Sequence, residues 1–123
     1  MKTLTKAEEQ IMQVLWKKGP SFVKDIIGEL PEPKPHYNTT STLVKILVDK
    51  GFVDFNAFGK SHQYFALVSK EEYSRSTLKT FVKGYFEGSY SKMVSFFVHD
   101  KSMNVNELDA LMEMIEQAKK EKQ

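Results

Sequence analysis

Asn38, Ser41, Thr42, Lys45 and Asp49 recur at steps of three and four, so a helix through them gathers all five on one side. Thr39 and Thr40 add two more hydroxyls at its start. The set offers hydrogen-bond donors, acceptors and one ammonium, but no nucleophile beside a base. Threonine, serine and asparagine are mediocre helix formers, because their side chains compete for backbone groups and threonine branches at Cβ. An ordinary solvated face would carry Glu, Lys and Gln instead. Short polar groups suit a helix that comes close to a phosphate backbone or a base edge. A helix start rich in capping residues would also explain Asn38 and one threonine.

Other chemistry finds little support. The three imidazoles, His36, His62 and His99, share no metal-ligand spacing, and there is no cysteine to supply a thiolate, a disulfide or a nucleophile. No serine sits in a G-x-S-x-G setting, no Gly-rich phosphate loop appears, and the acids are scattered. The expectation is a protein that is not an enzyme and needs neither metal nor cofactor. At 123 residues and 41% apolar content the chain can build a real core. No apolar run reaches the roughly 18 residues of a membrane span. The first residues lack a signal-peptide core, which points to the cytoplasm. Net charge is +2, and residues 1–68 hold the excess, with nine basic against seven acidic side chains.

The elements that must position the polar helix follow from caps and periods. Thr5 and Glu8 form a capping box for a first helix bearing Ile11, Val14 and Leu15, with Met12 and Trp16 flanking. Lys17-Lys18-Gly19-Pro20 stops it. Ser21 is read as the cap of a shorter second helix carrying Phe22, Val23, Ile26, Ile27 and Leu30. Pro31, Pro33 and Pro35 make a non-helical linker to the third helix. That helix buries Leu43, Val44, Leu47 and Val48 and ends at Lys50-Gly51. The period then changes to two strands, Phe52–Ala57 and His62–Val68, joined by Phe58-Gly59-Lys60-Ser61. Three helices followed by a hairpin, with short polar groups on the third, make a winged helix-turn-helix over residues 1–68. Trp16, Phe22 and Phe65 fall on apolar stripes and read as core.

Residues 69–123 read as three further helices. Ser69 and Glu72 cap the fourth, Gly88-Ser89 breaks it, and a fifth runs from Tyr90 to Val98. Asn104 and Glu107 cap a sixth with Leu108, Leu111, Met112, Ile115 and Ala118 on one stripe. Phe81, Tyr85, Phe86, Met93 and Phe97 add aromatic and apolar surface that three short helices cannot bury alone. Pairing of Phe81, Tyr85, Phe86, Met93, Phe97, Leu108, Leu111, Met112 and Ile115 with an identical chain is the economical solution, since two-fold dimers are the commonest oligomers. The fold expected is therefore mostly α with a small antiparallel β wing, a winged helix-turn-helix followed by a three-helix dimerisation region.

This order of elements resembles the BlaI/MecI-type penicillinase repressor family. The resemblance rests on Leu4-Thr5-Lys6-Ala7-Glu8, Val14-Leu15-Trp16-Lys17, Tyr37-Asn38-Thr39 and the run Leu43 to Val53. Gly59-Lys60, Gln63-Tyr64, Lys92-Met93-Val94 and Leu108-Asp109-Ala110-Leu111 complete it. It implies a dimeric repressor on operators near its own gene. On that match Asn38, Thr39, Thr42 and Lys45, with Ser41 beside them, face the major groove of double-stranded DNA. Thr39 and Thr42 would meet a base edge or a thymine methyl, and Asn38 an adenine or a phosphate. Lys60, Ser61 and His62 at the wing tip would reach the backbone or minor groove, with Lys24 or Lys50 adding phosphate contacts.

Repressors of this family are inactivated when a membrane sensor-protease signals, by a cut at an Asn-Phe bond in the fifth helix. The matching bond here is Phe96-Phe97, with phenylalanine in place of the asparagine. The copper-responsive branch uses a C-terminal cysteine site that this chain lacks. Two readings of other kinds stay open. The 81–97 aromatics could line an effector pocket instead of a subunit contact, and the fold could serve protein contacts without specific DNA binding, as the modest charge allows.

Overall fold

The computed structural model describes residues 1–123, which divide into two compact units, Met1–Ser76 and Thr77–Gln123. The first opens with α1 (Lys6–Lys18), β1 (Ser21–Phe22), α2 (Val23–Glu29) and α3 (Tyr37–Asp49). It continues with β2 (Val53–Phe58), β3 (Ser61–Ala66) and the first turns of α4 (Lys70–Phe86). The three antiparallel strands lie in the order β1-β3-β2. This is a winged helix, and its core gathers Ile11, Met12 and Leu15 of α1, Ile26 of α2, Val44 and Leu47 of α3, and Phe52, Val53 and Tyr64 around the sheet.

Local chemistry explains the elements. The Thr5 hydroxyl accepts the Glu8 amide at 3.2 Å while the Glu8 carboxylate accepts the Thr5 amide at 2.8 Å, closing the capping box of α1. Glu8 is also buried, and Lys50 at the end of α3 donates to the same carboxylate at 2.6 Å and to the Thr3 carbonyl at 3.2 Å. Burial pushes the Glu8 carboxyl up, but the Lys50 ammonium and the Thr5 amide outweigh it and hold the group below the ordinary glutamate range. Lys50, one of the two lysines offered for phosphate contacts, is thus paired with Glu8 in the folded chain.

Ser21 does not cap α2. It pairs with Tyr64 as the start of β1, is buried, and donates its hydroxyl to the Gly19 carbonyl at 2.9 Å. The cap position belongs to Phe22, whose amide is accepted by Asp25 at 3.1 Å. The expected two-stranded hairpin is in consequence a three-stranded sheet. At the far end of α2, Lys34 folds back from the proline linker and donates to the carbonyls of Gly28 and Leu30, a cation on a helix C-terminus.

α3 hands over to the wing through a Schellman motif. The Gly51 amide donates to Val48 at 3.0 Å and the Phe52 amide to Leu47 at 3.0 Å, with Gly51 at φ +83°. Phe52 and Leu47, the apolar pair of that motif, are both in the core. The wing turns on Gly59 and Lys60, with Phe58 opposite Ser61 and Gly59 at φ +61°, as a two-residue hairpin with glycine at its first central position requires.

Tyr73 of α4 joins the first unit's core. Its ring lies 5.6 Å from Phe52 and 5.9 Å from Trp16, and its hydroxyl accepts the Leu4 amide at 3.3 Å. The Trp16 indole donates to the Val68 carbonyl at 2.8 Å. These contacts are why the first unit runs past the wing into α4.

The second unit holds the rest of α4, α5 (Tyr90–His99) and α6 (Val105–Glu121). Ser89 caps α5, and Asn104 with Glu107 forms the capping box of α6. An aromatic series joins α4 to α5, with Phe81 5.9 Å from Phe86 and Phe86 5.8 Å from Phe96. Yet neither α5 nor α6 has a single buried side chain. No helix is long and apolar enough to cross a membrane.

Candidate nucleic-acid interface

α3 separates cleanly into two faces. Thr40, Val44 and Leu47 are buried in the core, whereas Asn38, Thr39, Thr42, Lys45, Ile46 and Asp49 are exposed. His36 occupies the N-cap without a side-chain bond, so Asn38 and the threonines stand inside the helix rather than capping it. Capping preference thus does not account for them. Thr40 is the one hydroxyl of the run that enters the core, and it satisfies itself by donating to the His36 carbonyl at 3.1 Å. Thr42 donates to the Asn38 carbonyl at 2.9 Å, which leaves its oxygen lone pairs and its methyl for a ligand. Ser41 is half-buried at the edge of the exposed face.

At the wing, Lys60 is exposed in the turn and Ser61 opens β3 beside it. His62 is half-buried and lies flat on Phe55, with ring centroids 4.1 Å apart and planes within 7°. Tyr64 meets the same two rings at 6.1 and 5.7 Å. The stack fixes the imidazole's orientation on the strand, so His62 is a positioned group rather than a mobile one.

Ser61 and His62 come together with the start of α3 and the start of α2 around an open cleft of about 520 Å³ lined also by Phe22, Lys24, Asp25, Tyr37 and Phe58. Lys24 is exposed at this cleft, which keeps it with the candidate site. Sequence reasoning passed over Tyr37 and Phe58, which are 59% and 56% exposed here, and over Ile46 on the α3 face. An aromatic residue at the first turn of a helix has no period to announce it. The signal for Phe58 was its place beside the Gly59 turn, and its ring rests edge-on against Phe22 at 5.9 Å. Together the surfaces offer a helix of groove-reading size, a wing carrying a cation and a fixed imidazole, and a further cation at the α2 start. No group of histidines and carboxylates is disposed to hold a metal ion.

The nine residues expected in the subunit contact all lie in the second unit. Phe81, Tyr85, Phe97, Met112 and Ile115 are exposed, and Phe86, Met93, Leu108 and Leu111 are half-buried. Phe96 and Phe97, the bond matched to the family's cut, sit mid-α5 with both side chains exposed.

The penicillinase repressor family model matches residues 4–117. The methicillin resistance regulatory protein MecI of Staphylococcus aureus is 27% identical over 113 residues, covering 91% of this chain and 92% of its own. The penicillinase repressor of Bacillus licheniformis is 22% identical over 120 residues, covering 97% and 94%. A MarR family regulator from Neisseria meningitidis aligns with 98% of this chain and 82% of its own at a TM-score of 0.43 and 17% identity, a likeness too low to transfer detail. With a match that takes in nearly the whole chain, the protein belongs to the penicillinase repressor family of transcriptional regulators.

Proposed function

We propose that the protein is a homodimeric repressor that binds a specific DNA operator near its own gene through α3 and the wing. The observation that carries the reading is the outer face of α3, where Asn38, Thr39, Thr42 and Lys45 stand exposed opposite a fully buried inner face. A helix evolved for protein contact would offer a cluster of large apolar anchors there. Lys45 and Lys60 supply cations for phosphate or guanine, Asn38 and Thr42 suit base edges, and Ser61 and His62 suit backbone. Dimerisation is supported by α5 and α6, none of whose side chains is fully buried within one chain.

The test is fluorescence anisotropy on duplex from upstream of the gene, at physiological salt, against excess unrelated DNA. Selective binding by two chains per site is the expected result. Binding abolished by the competitor would turn the assignment toward the protein-contact reading that the net charge of +2 favours. Lys45→Ala is expected to weaken the complex and lower the slope of log affinity against log salt by about one, with dimerisation unchanged. An unaltered operator affinity would remove Lys45 from the interface.

Relief of repression by cleavage between Phe96 and Phe97 is the finer part of the same proposal. No side chain of α5 is fully buried, so opening this helix for a protease gives up only partly buried contacts within the chain, the Phe86–Phe96 ring pair among them. Mass spectrometry of induced cells should then find a fragment ending at Phe96. Recovery of only full-length protein under full induction would eliminate this mode of relief.

A further inference from the structure

We infer that Ile46 is a base-reading residue whose exposed side chain packs on a thymine methyl in the major groove. The inference rests on the DNA-binding reading above and deepens it. Ile46 is 37% exposed and, like Lys45 before it, stands apart from the fully buried Val44 and Leu47, so it belongs to the outer face and not to the core. It follows Lys45 directly and lies one helical turn beyond Thr42, at the C-terminal end of the groups assigned to the groove. Isoleucine is a weak choice for a solvated helix position, since its branched Cβ costs side-chain freedom there.

The side chain can neither donate nor accept a hydrogen bond, which excludes adenine N6 and N7, guanine O6 and N7, and cytosine N4 as partners. The C5 methyl of thymine is the apolar group that the major groove presents. Thr42 strengthens the assignment. Its hydroxyl proton is spent on the Asn38 carbonyl, so toward DNA it can offer its methyl beside Ile46 and widen the apolar spot. Lys45 next to that spot would hold the helix against the phosphates or a neighbouring guanine, pressing the apolar contact into place. Ile46 thus sets a preference for thymine at one position of each half-site.

The experiment replaces the thymines of the bound upstream duplex one at a time with deoxyuridine, which deletes the C5 methyl and leaves every hydrogen-bonding group. Wild-type protein is expected to lose about threefold to fivefold in affinity at one thymine per half-site, the worth of one buried methyl. Ile46→Ala should bind thymine and uracil equally at that position and keep the wild-type response to Lys45→Ala. Because the protein is unaltered in the wild-type scan, a folding defect cannot imitate the effect. The inference is overturned if no thymine is sensitive, or if Ile46→Ala retains the same sensitive thymine as the wild type. A wild-type protein that shows no operator-selective binding at all overturns the parent reading instead, and this one with it.

Discussion

Met112→Glu combined with Ile115→Glu is expected to halve the particle mass in solution and cut operator affinity by at least about a hundredfold. The physical basis is that the two side chains are 65% and 43% exposed in the single chain, so charge there costs the protomer little. In a paired state the same positions would be desolvated, and carboxylates from two chains would face one another across a dry contact, without partners. Loss of pairing removes the second half-site contact and with it the gain from tethering two weak binding events, which commonly amounts to a factor of 10² to about 10⁴. Sedimentation gives the mass and anisotropy the affinity. The first unit should melt as before, because neither residue belongs to it. A doubly charged variant that stays dimeric, or binds as tightly as the wild type, would show that α6 is not the subunit contact.

The second large effect concerns the Glu8–Lys50 pair. Lys50→Met strands the Glu8 carboxylate in a site where its side chain is 3% exposed, and should cost about 3 kcal/mol, the lower end for breaking a buried pair, because the Lys50 side chain keeps 22% of its exposure. The pH dependence gives the prediction its direction. In the wild type the folded Glu8 holds its proton less tightly than the unfolded chain does. Its contribution is therefore fully present at neutral pH and fades as pH falls through the ordinary glutamate range toward the lowered folded value. Without Lys50, the cation that offsets burial is gone and desolvation pushes the carboxyl upward, so mild acid relieves the variant by protonating Glu8. The stability gap between the two proteins should be widest near about pH 7 and narrow toward about pH 4. Urea melts followed by Trp16, the single tryptophan, which hydrogen-bonds within the first unit, measure it directly. A penalty that does not change with pH would mean that Lys50 acts by its aliphatic stem and not by its charge.

The parts of the fold that were legible in the sequence are those set by neighbours along the chain. Capping boxes at Thr5 and Asn104, the Gly19 stop, the Gly51 C-terminus and the Gly59 turn are all local chemistry, and each stands where its residues placed it. Ser21 shows the limit. A serine after Gly-Pro and before an apolar run reads as a cap, and a two-residue strand has no period by which to contradict it. Only pairing with Tyr64, more than forty residues away, makes it part of a sheet. The Glu8–Lys50 bond fails for the same reason, since nothing at either site marks the other. Tyr73 lies in the helix that Ser69 and Glu72 cap, but its membership of the first core depends on Phe52 and Trp16 meeting it in space.

In the candidate interface, the polar outer face of α3 was readable because threonine and asparagine are odd choices for a solvated helix. Ile46 escaped because the stripe through Leu43, Val44, Leu47 and Val48 already satisfied the period, and one more apolar residue beside it carried no signal until its exposure was known. The cleft around Lys24, Tyr37 and His62 joins three separate elements, and no pattern within any one of them describes it.

The division of α3 has a consequence for how such a protein can change. Thr40, Val44, Leu47 and Gly51 hold the helix to the body and turn the chain into the wing, and none of them is on the outer face. Asn38, Thr42, Lys45 and Ile46 are free of those duties. On the proposed DNA-binding reading, substitutions at these four positions would therefore change which sequence is preferred at small cost to folding, since exposed positions away from core and caps usually shift stability by no more than about 0.5 kcal/mol. The scaffold and the address it reads are separable inheritances. A duplicated copy could diverge toward a new operator by drifting at the outer positions alone, remaining folded at every intermediate step.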